Sequence, residues 1–92
     1  MNMANTLKRQ AREYIESTFW CYVNGIVDDN YEVLTEEGWI EYITKNRDMD
    51  IAHDQRVNGN EFRHLLFFGN ENFTEEIKRF LRTKDAQEYI RR

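Results

Sequence analysis

The chain of 92 residues has no proline, one cysteine, two histidines and four glycines. A lone cysteine cannot form an intramolecular disulfide. Set between Trp20 and Tyr22, Cys21 is expected to be a buried thiol in a reducing compartment. The absence of proline leaves glycines and side-chain caps to punctuate the helices. No segment reaches the roughly 18–20 consecutive apolar residues of a membrane-spanning helix. The longest uncharged aromatic stretch, Ser17 to Val27, is interrupted by Thr18, Asn24 and Gly25. Met1 to Thr6 is polar and leads into Lys8 and Arg9 with no apolar signal region, so the expected location is the cytoplasm. The isolated glycines form neither Gly-x-Gly-x-x-Gly nor Gly-Lys-Ser/Thr, which removes support for phosphate-cradling loops. Ser17, the only serine, and Cys21 both fall in an expected helix with no base nearby. No nucleophilic site is expected there, and the chain is read as a non-enzyme without a cofactor.

What is present is enough for one folded domain, residues 1–92. Hydrophobic residues make up 40% of the chain and aromatics 14%, against 33% charged, a balance that disordered chains lack. Leu7, Ala11, Tyr14, Ile15, Phe19, Tyr22 and Ile26 recur at three- and four-residue steps, which predicts a first helix from about Asn5 to Asn24. Asn5 or Thr6 would cap it, and Gly25 would close it in the left-handed conformation. Thr35 followed by Glu36 and Glu37 predicts the start of a second helix, with Trp39, Ile40 and Ile43 on one side. Between the two, Asp28 to Leu34 reads as a short helical turn, and Asn46 to Val57, weakly patterned, as a long loop. Asn58, Asn72 and Asp85 each precede a glutamate by three positions, the spacing of capping boxes. Phe62, Leu65, Leu66 and Phe68 would line a helix ended by Gly69, and Ile77, Phe80 and Leu81 the next. A break near Thr83 would precede a last helix carrying Tyr89 and Ile90. The expected fold is therefore all-α, a compact bundle of about four or five short helices.

The alternative is an α+β fold with a small antiparallel sheet around two Asn-Gly turns, Val23-Asn24-Gly25 and Val57-Asn58-Gly59. Phe19 to Val23 is rich in strand formers, and Ile51, His53, Gln55 and Val57 alternate. Leu65-Leu66-Phe67-Phe68 breaks that alternation, and caps account for the same Asn and Gly residues, so helix is preferred. The first helix, a turn and Glu36-Glu37-Gly38-Trp39 resembles the opening of the nuclear-transport-factor-like α+β proteins. Their curved sheet needs a longer chain, and no family is assigned on this likeness.

Charge carries the functional expectation. Residues 25–50 hold Asp28, Asp29, Glu32, Glu36, Glu37, Glu41, Asp48 and Asp50 against Lys45 and Arg47, a local net of minus six in a chain of minus four. Such a stretch suits a surface that meets a basic partner. Trp20, Tyr42, Phe67 and Phe73 fall off or beside the apolar stripes and are expected to be exposed beside it, as binding surfaces often are. The expected partner-binding set is thus Asp28, Asp29, Glu32, Glu36, Glu37 and Glu41 with those four aromatics. The function expected is a small acidic protein-binding module, an inhibitor or adaptor that occupies a basic, nucleic-acid-binding site on a partner protein. Phage and mobile-element anti-defence (anti-CRISPR-like) proteins exemplify the class. A homodimer pairing the acidic middle of one copy with the basic tail of another is compatible with this. That tail, Lys78, Arg79, Arg82, Lys84, Arg91 and Arg92, is interleaved with acids, and direct nucleic-acid binding is not expected. The competing expectation is a small metal-binding protein or metal-dependent hydrolase using Asp48, Asp50, His53 and Asp54, with His64 as a further ligand. An EF-hand starting at Asp28 is excluded, because Val33 stands where Gly is needed and Trp39 where Glu is needed.

Overall fold

The computed structural model describes residues 3–25, 32–57, 65 and 68–92. Among them are four helices and no strand: α1 (Met3–Asn24), α2 (Glu36–Val57), α3 (Asn70–Leu81) and α4 (Lys84–Gln87). The all-α reading holds. No α+β sheet is present among the described residues, since both Phe19 to Val23 and Ile51 to Val57 lie inside helices.

Helix α1 starts at Met3, ahead of both expected caps, and ends at Asn24 as its apolar spacing requires. Ala11, Ile15, Phe19 and Val23 are buried at four-residue steps, with Thr18 beside them. Gly25 closes the helix by donating its N–H to the Cys21 carbonyl at 2.8 Å, without the left-handed conformation expected of it. A Cβ at Gly25 would stand 2.5 Å from that carbonyl oxygen, closer than real contacts allow. Cys21 itself is exposed, not buried, because it lies on the side of α1 away from Phe19 and Val23.

Helix α2 starts where expected. The Thr35 hydroxyl accepts from the Gly38 N–H at 3.0 Å, and Glu36 and Glu37 occupy the first turn, where the helix dipole favours negative charge. The helix then runs to Val57, so residues 46–57 are no loop. Its buried face is Trp39, Ile43, Arg47, Ile51 and Asp54, which has helical spacing throughout but is charged at two of its five positions. Apolar periodicity fades there while the geometry continues. Arg47, 3% exposed, lays its guanidinium 4.6 Å from the centre of the Phe73 ring. It also donates to Asp48 at 2.7 and 3.0 Å and to the Asn70 side chain at 2.8 Å, which offsets the cost of burying its charge.

The expected helical turn over Asp28–Leu34 is not found in its described part. Glu32 and Val33 belong to no helix or strand, and Leu34 forms an isolated parallel bridge with Ile90. Residues 28–31 lie outside the described residues, as do the expected cap at Asn58 and the side chains of Phe62 and Leu66. Leu65 is helical and buried.

Gly69, at φ +90°, separates Phe68 from α3 in a conformation that favours glycine. Its carbonyl receives the first helical N–H bond, from Phe73, at 3.0 Å. Asn72 therefore sits one turn inside α3 and is not its cap; its side-chain amide donates back to the Phe68 carbonyl at 2.7 Å. Phe73, Glu76, Ile77 and Leu81 form the buried face of α3. The break at Thr83 is present, and Thr83 itself caps α4 by accepting from Ala86. That displaces Asp85 from the capping role, and Tyr89 and Ile90 follow the helix instead of lying in it.

All four helices and Leu65 contribute to one core. Helix α3 packs against both α1 and α2 more extensively than those two pack on each other. At one end the Phe19 ring lies 4.4 Å from Trp39, 4.8 Å from Trp20, 4.9 Å from Phe80 and 6.0 Å from Tyr89, mostly edge to face. The buried Trp39 indole donates to the Tyr89 carbonyl at 3.0 Å, and the Arg91 N–H donates to the Leu34 carbonyl at 2.8 Å. Phe19→Ala is expected to cost about 3–5 kcal/mol in equilibrium unfolding, whereas Met49→Ala should stay within about 0.5 kcal/mol. Met49 is 61% exposed on the far side of α2.

Candidate functional site

Of the expected acidic set, Glu32, Glu36, Glu37 and Glu41 are all exposed, while Asp28 and Asp29 lie outside the described residues. Because α2 begins at Glu36, Glu32 and Glu36 are not a helical like-charge pair; Glu37 and Glu41 are. Glu36 stands apart from the others. It lines a small cavity of about 210 Å³ with Arg82, Arg91 and Arg92, so the basic tail meets the acidic stretch within one chain.

Pairing separates these carboxylates from Glu13, Glu76 and Asp48. The five ion pairs among the described residues use Glu13, Glu76 and Asp48. Glu76, 4% exposed, draws Arg12 at 2.8 Å, Lys8 at 3.5 Å and Arg79 at 3.9 Å. Arg12 and Lys8 come from α1, so this buried carboxylate links α1 to α3. No such cation approaches Glu32, Glu37 or Glu41 among the described residues.

The four aromatic expectations divide. Phe73 is fully buried, since α3 starts ahead of Asn72 and turns Phe73 onto the core beneath Arg47. Phe67 lies outside the described residues. Trp20 is half-buried at the edge of the Phe80 and Tyr89 rings. Tyr42 is half-buried 4.9 Å from Tyr22, whose hydroxyl donates to the Glu32 carbonyl at 3.0 Å. Burial, with Tyr22 and Cys21 nearby, raises the Tyr42 phenol above the ordinary tyrosine range.

The alternative metal cluster does not assemble. Asp48 pairs with Arg47, Asp50 accepts from Tyr14, His53 is exposed and Asp54 is buried. Among the described residues no three His, Cys, Asp or Glu side chains gather as a metal site would require. His64 lies outside them. Nor is any described helix long and apolar enough to cross a membrane.

A groove of about 570 Å³ lies between α1 and α2. From α1 come Gln10, Glu13, Ser17 and Cys21, a stripe at three- and four-residue spacing beside the core face. The opposite wall is Tyr42, Asn46 and Asp50, one turn apart on α2. Tyr14, Thr18 and Leu65 complete the lining. Across the groove the Tyr14 hydroxyl donates to Asp50 Oδ2 at 2.6 Å and accepts from the Asn46 amide at 3.0 Å. Burial, and then the bond to Asp50, raises the Tyr14 phenol far above its ordinary range, so it remains a donor well into alkaline solution. Two residues of this groove were singled out in the sequence, Tyr42 for an interface and Asp50 for a metal. The signal that joins them is the pair of polar stripes at helical spacing alongside the apolar one.

In comparison with known proteins, no family model matches the chain, and no curated protein or solved structure is significantly similar to it.

The raised phenol fixes a pH dependence. A group whose folded pKa exceeds its unfolded value of about 10 adds stability that is complete below that value and lost as pH rises beyond it. Tyr14→Phe should therefore flatten the alkaline fall in denaturant-measured stability, and the wild-type tyrosinate absorbance should rise last for Tyr14. An unaltered alkaline limb in Tyr14→Phe would contradict this.

Proposed function

We propose that the protein is a binding module that occupies a basic site on a partner protein through the carboxylates of Glu32, Glu37 and Glu41. Glu36, Asp28 and Asp29 belong to the same stretch, and Trp20 is the aromatic available to extend the contact, whereas Tyr42 lies round the α2 axis from Glu37 and Glu41 and lines the groove. The observation that carries this reading is the contrast in pairing. The buried Glu76 is matched with three cations, whereas Glu37 and Glu41, in the stretch that holds the chain's excess negative charge, stand exposed, mutually repelling at i,i+4 and without an ion pair among the described residues. A row of that kind is unfavourable for the isolated chain by a few tenths of a kcal/mol and becomes favourable against a basic surface. It also steers encounter over roughly a Debye length, about 8–10 Å at ordinary salt. An inhibitor or adaptor covering a nucleic-acid-binding channel, as phage anti-defence proteins do, would use such a surface.

The tagged protein, exposed to lysate of its native host, is expected to retain a basic protein at low salt and release it at about 0.5 M salt. Reversal of Glu32, Glu37 and Glu41 to Lys should lower affinity for that partner by about tenfold or more, with an unchanged melting temperature. Undiminished binding by the folded reversal variant would refute the acidic contact.

A further inference from the structure

We propose that the groove between α1 and α2 is a binding site for an organic cation, a guanidinium or a primary ammonium group. Its volume of about 570 Å³ falls in the range of small-ligand sites, roughly 300–1,000 Å³. Both walls carry a carboxylate, Glu13 on α1 and Asp50 on α2, and among the described residues no Lys, Arg or His side chain lines it. Arg9 reaches Glu13 only at 4.0 Å, with both side chains largely exposed, so it is a weak competitor.

The Asp50 carboxylate is presented, not merely present. The donors from Tyr14 and Asn46 both converge on Oδ2, at 2.6 and 3.5 Å, which orients the group and leaves Oδ1 without a hydrogen bond among the described residues. A guanidinium fork is suited to take up such an oxygen in a charge-assisted bond. The Tyr42 ring on the same wall offers a face for a cation, and Ser17, Gln10 and Cys21 supply further acceptors on the other. The hydroxyl and amide groups alone would suit a neutral ligand, but Asp50, with no ion pair among the described residues, and Glu13, held only loosely by Arg9, select a positive one.

This site is separate from the acidic row. At 100° per residue, Tyr42, Asn46 and Asp50 lie on nearly the opposite side of the α2 axis from Glu37 and Glu41. Each can hold or fail without the other. The cation has two chemical sources, a basic side chain presented by another protein or a free polyamine.

Three probes distinguish them by calorimetry and by backbone amide shifts: Nα-acetyl-arginine methylamide, its neutral isostere Nα-acetyl-citrulline methylamide, and spermidine. The arginine compound or spermidine should saturate the protein at about millimolar concentration, as suits a single side chain, and shift the amides of Cys21, Tyr42 and Asn46. Saturation by the arginine compound alone assigns the site to a protein side chain, and by spermidine alone to a free polyamine. Glu13→Gln and Asp50→Asn, the latter keeping an acceptor for Tyr14, should each weaken binding about threefold to tenfold. Glu13 is exposed, so its variant tests the charge without touching the core. Equal binding of the citrulline compound, unchanged affinity in both variants, or no saturation by either cation would overturn the proposal.

Discussion

The ring of Phe19 is the contact on which the remaining architecture depends. It touches rings from α1, α2, α3 and the carboxyl-terminal tail, so a single α1 side chain sets where Trp39, Phe80 and Tyr89 stand. Each edge-to-face pair adds about 0.5–1.5 kcal/mol beyond area burial, and the cluster is worth more than any one of its helices could supply alone. Trp39 could not be buried in this way without a partner for its indole N–H, and Tyr89 supplies that partner through its backbone carbonyl. The tail is thereby drawn onto Leu34, which brings Arg91 and Arg92 beside Glu36. The neighbourhood of charge at that end follows from aromatic packing, not from attraction between the charges.

At the other end the links are ionic. Arg47 ties α2 to α3 through Asn70 and Phe73, and Glu76 ties α3 to α1 through Arg12 and Lys8. Buried charges of this kind add little net stability over well-packed apolar residues, but removing one partner is costly, so they act mainly to fix register. Both links run through α3. Helices α1 and α2 are each held firmly to a third element and only locally to each other, which is why a groove remains between them.

The end of α1, the cap at Thr35, the break at Thr83 and the stripe of α3 were legible because apolar spacing and polar punctuation agree there, whereas α1 begins ahead of Asn5 and Thr6. The second half of α2 was not, because Arg47 and Asp54 take core positions and a pattern scored on hydrophobicity loses its phase at each. Phe73 was misplaced for a related reason. Asn72-Phe73-Thr74-Glu75 has the spacing of a capping box, yet the backbone conformation of Gly69 starts the helix earlier and turns the phenylalanine inward. Cys21 shows the converse error: aromatic neighbours in sequence say nothing about which side of a helix a residue occupies. The acidic stretch was legible as composition, whereas the groove depends on two helices being brought together.

The polar lining of that groove has a physical origin in the same packing. Residues one step off the apolar stripe of α1, such as Gln10, Glu13 and Ser17, would ordinarily face water, and so would Asn46 and Asp50 on α2. Because α1 and α2 pack more extensively on α3 than on each other, the stripes face each other across a groove at this flank. Tyr14 spans part of it, and its phenol is half-buried against a carboxylate, an arrangement stable only while the phenol keeps its proton. The proton on Tyr14 therefore does two things at once. It satisfies one oxygen of Asp50 and leaves the other without a hydrogen bond among the described residues, in a groove that Glu13 also lines. Phenylalanine at position 14 would keep the ring and remove the hydroxyl that orients Asp50, which makes Tyr14 the residue through which the core acts on the groove.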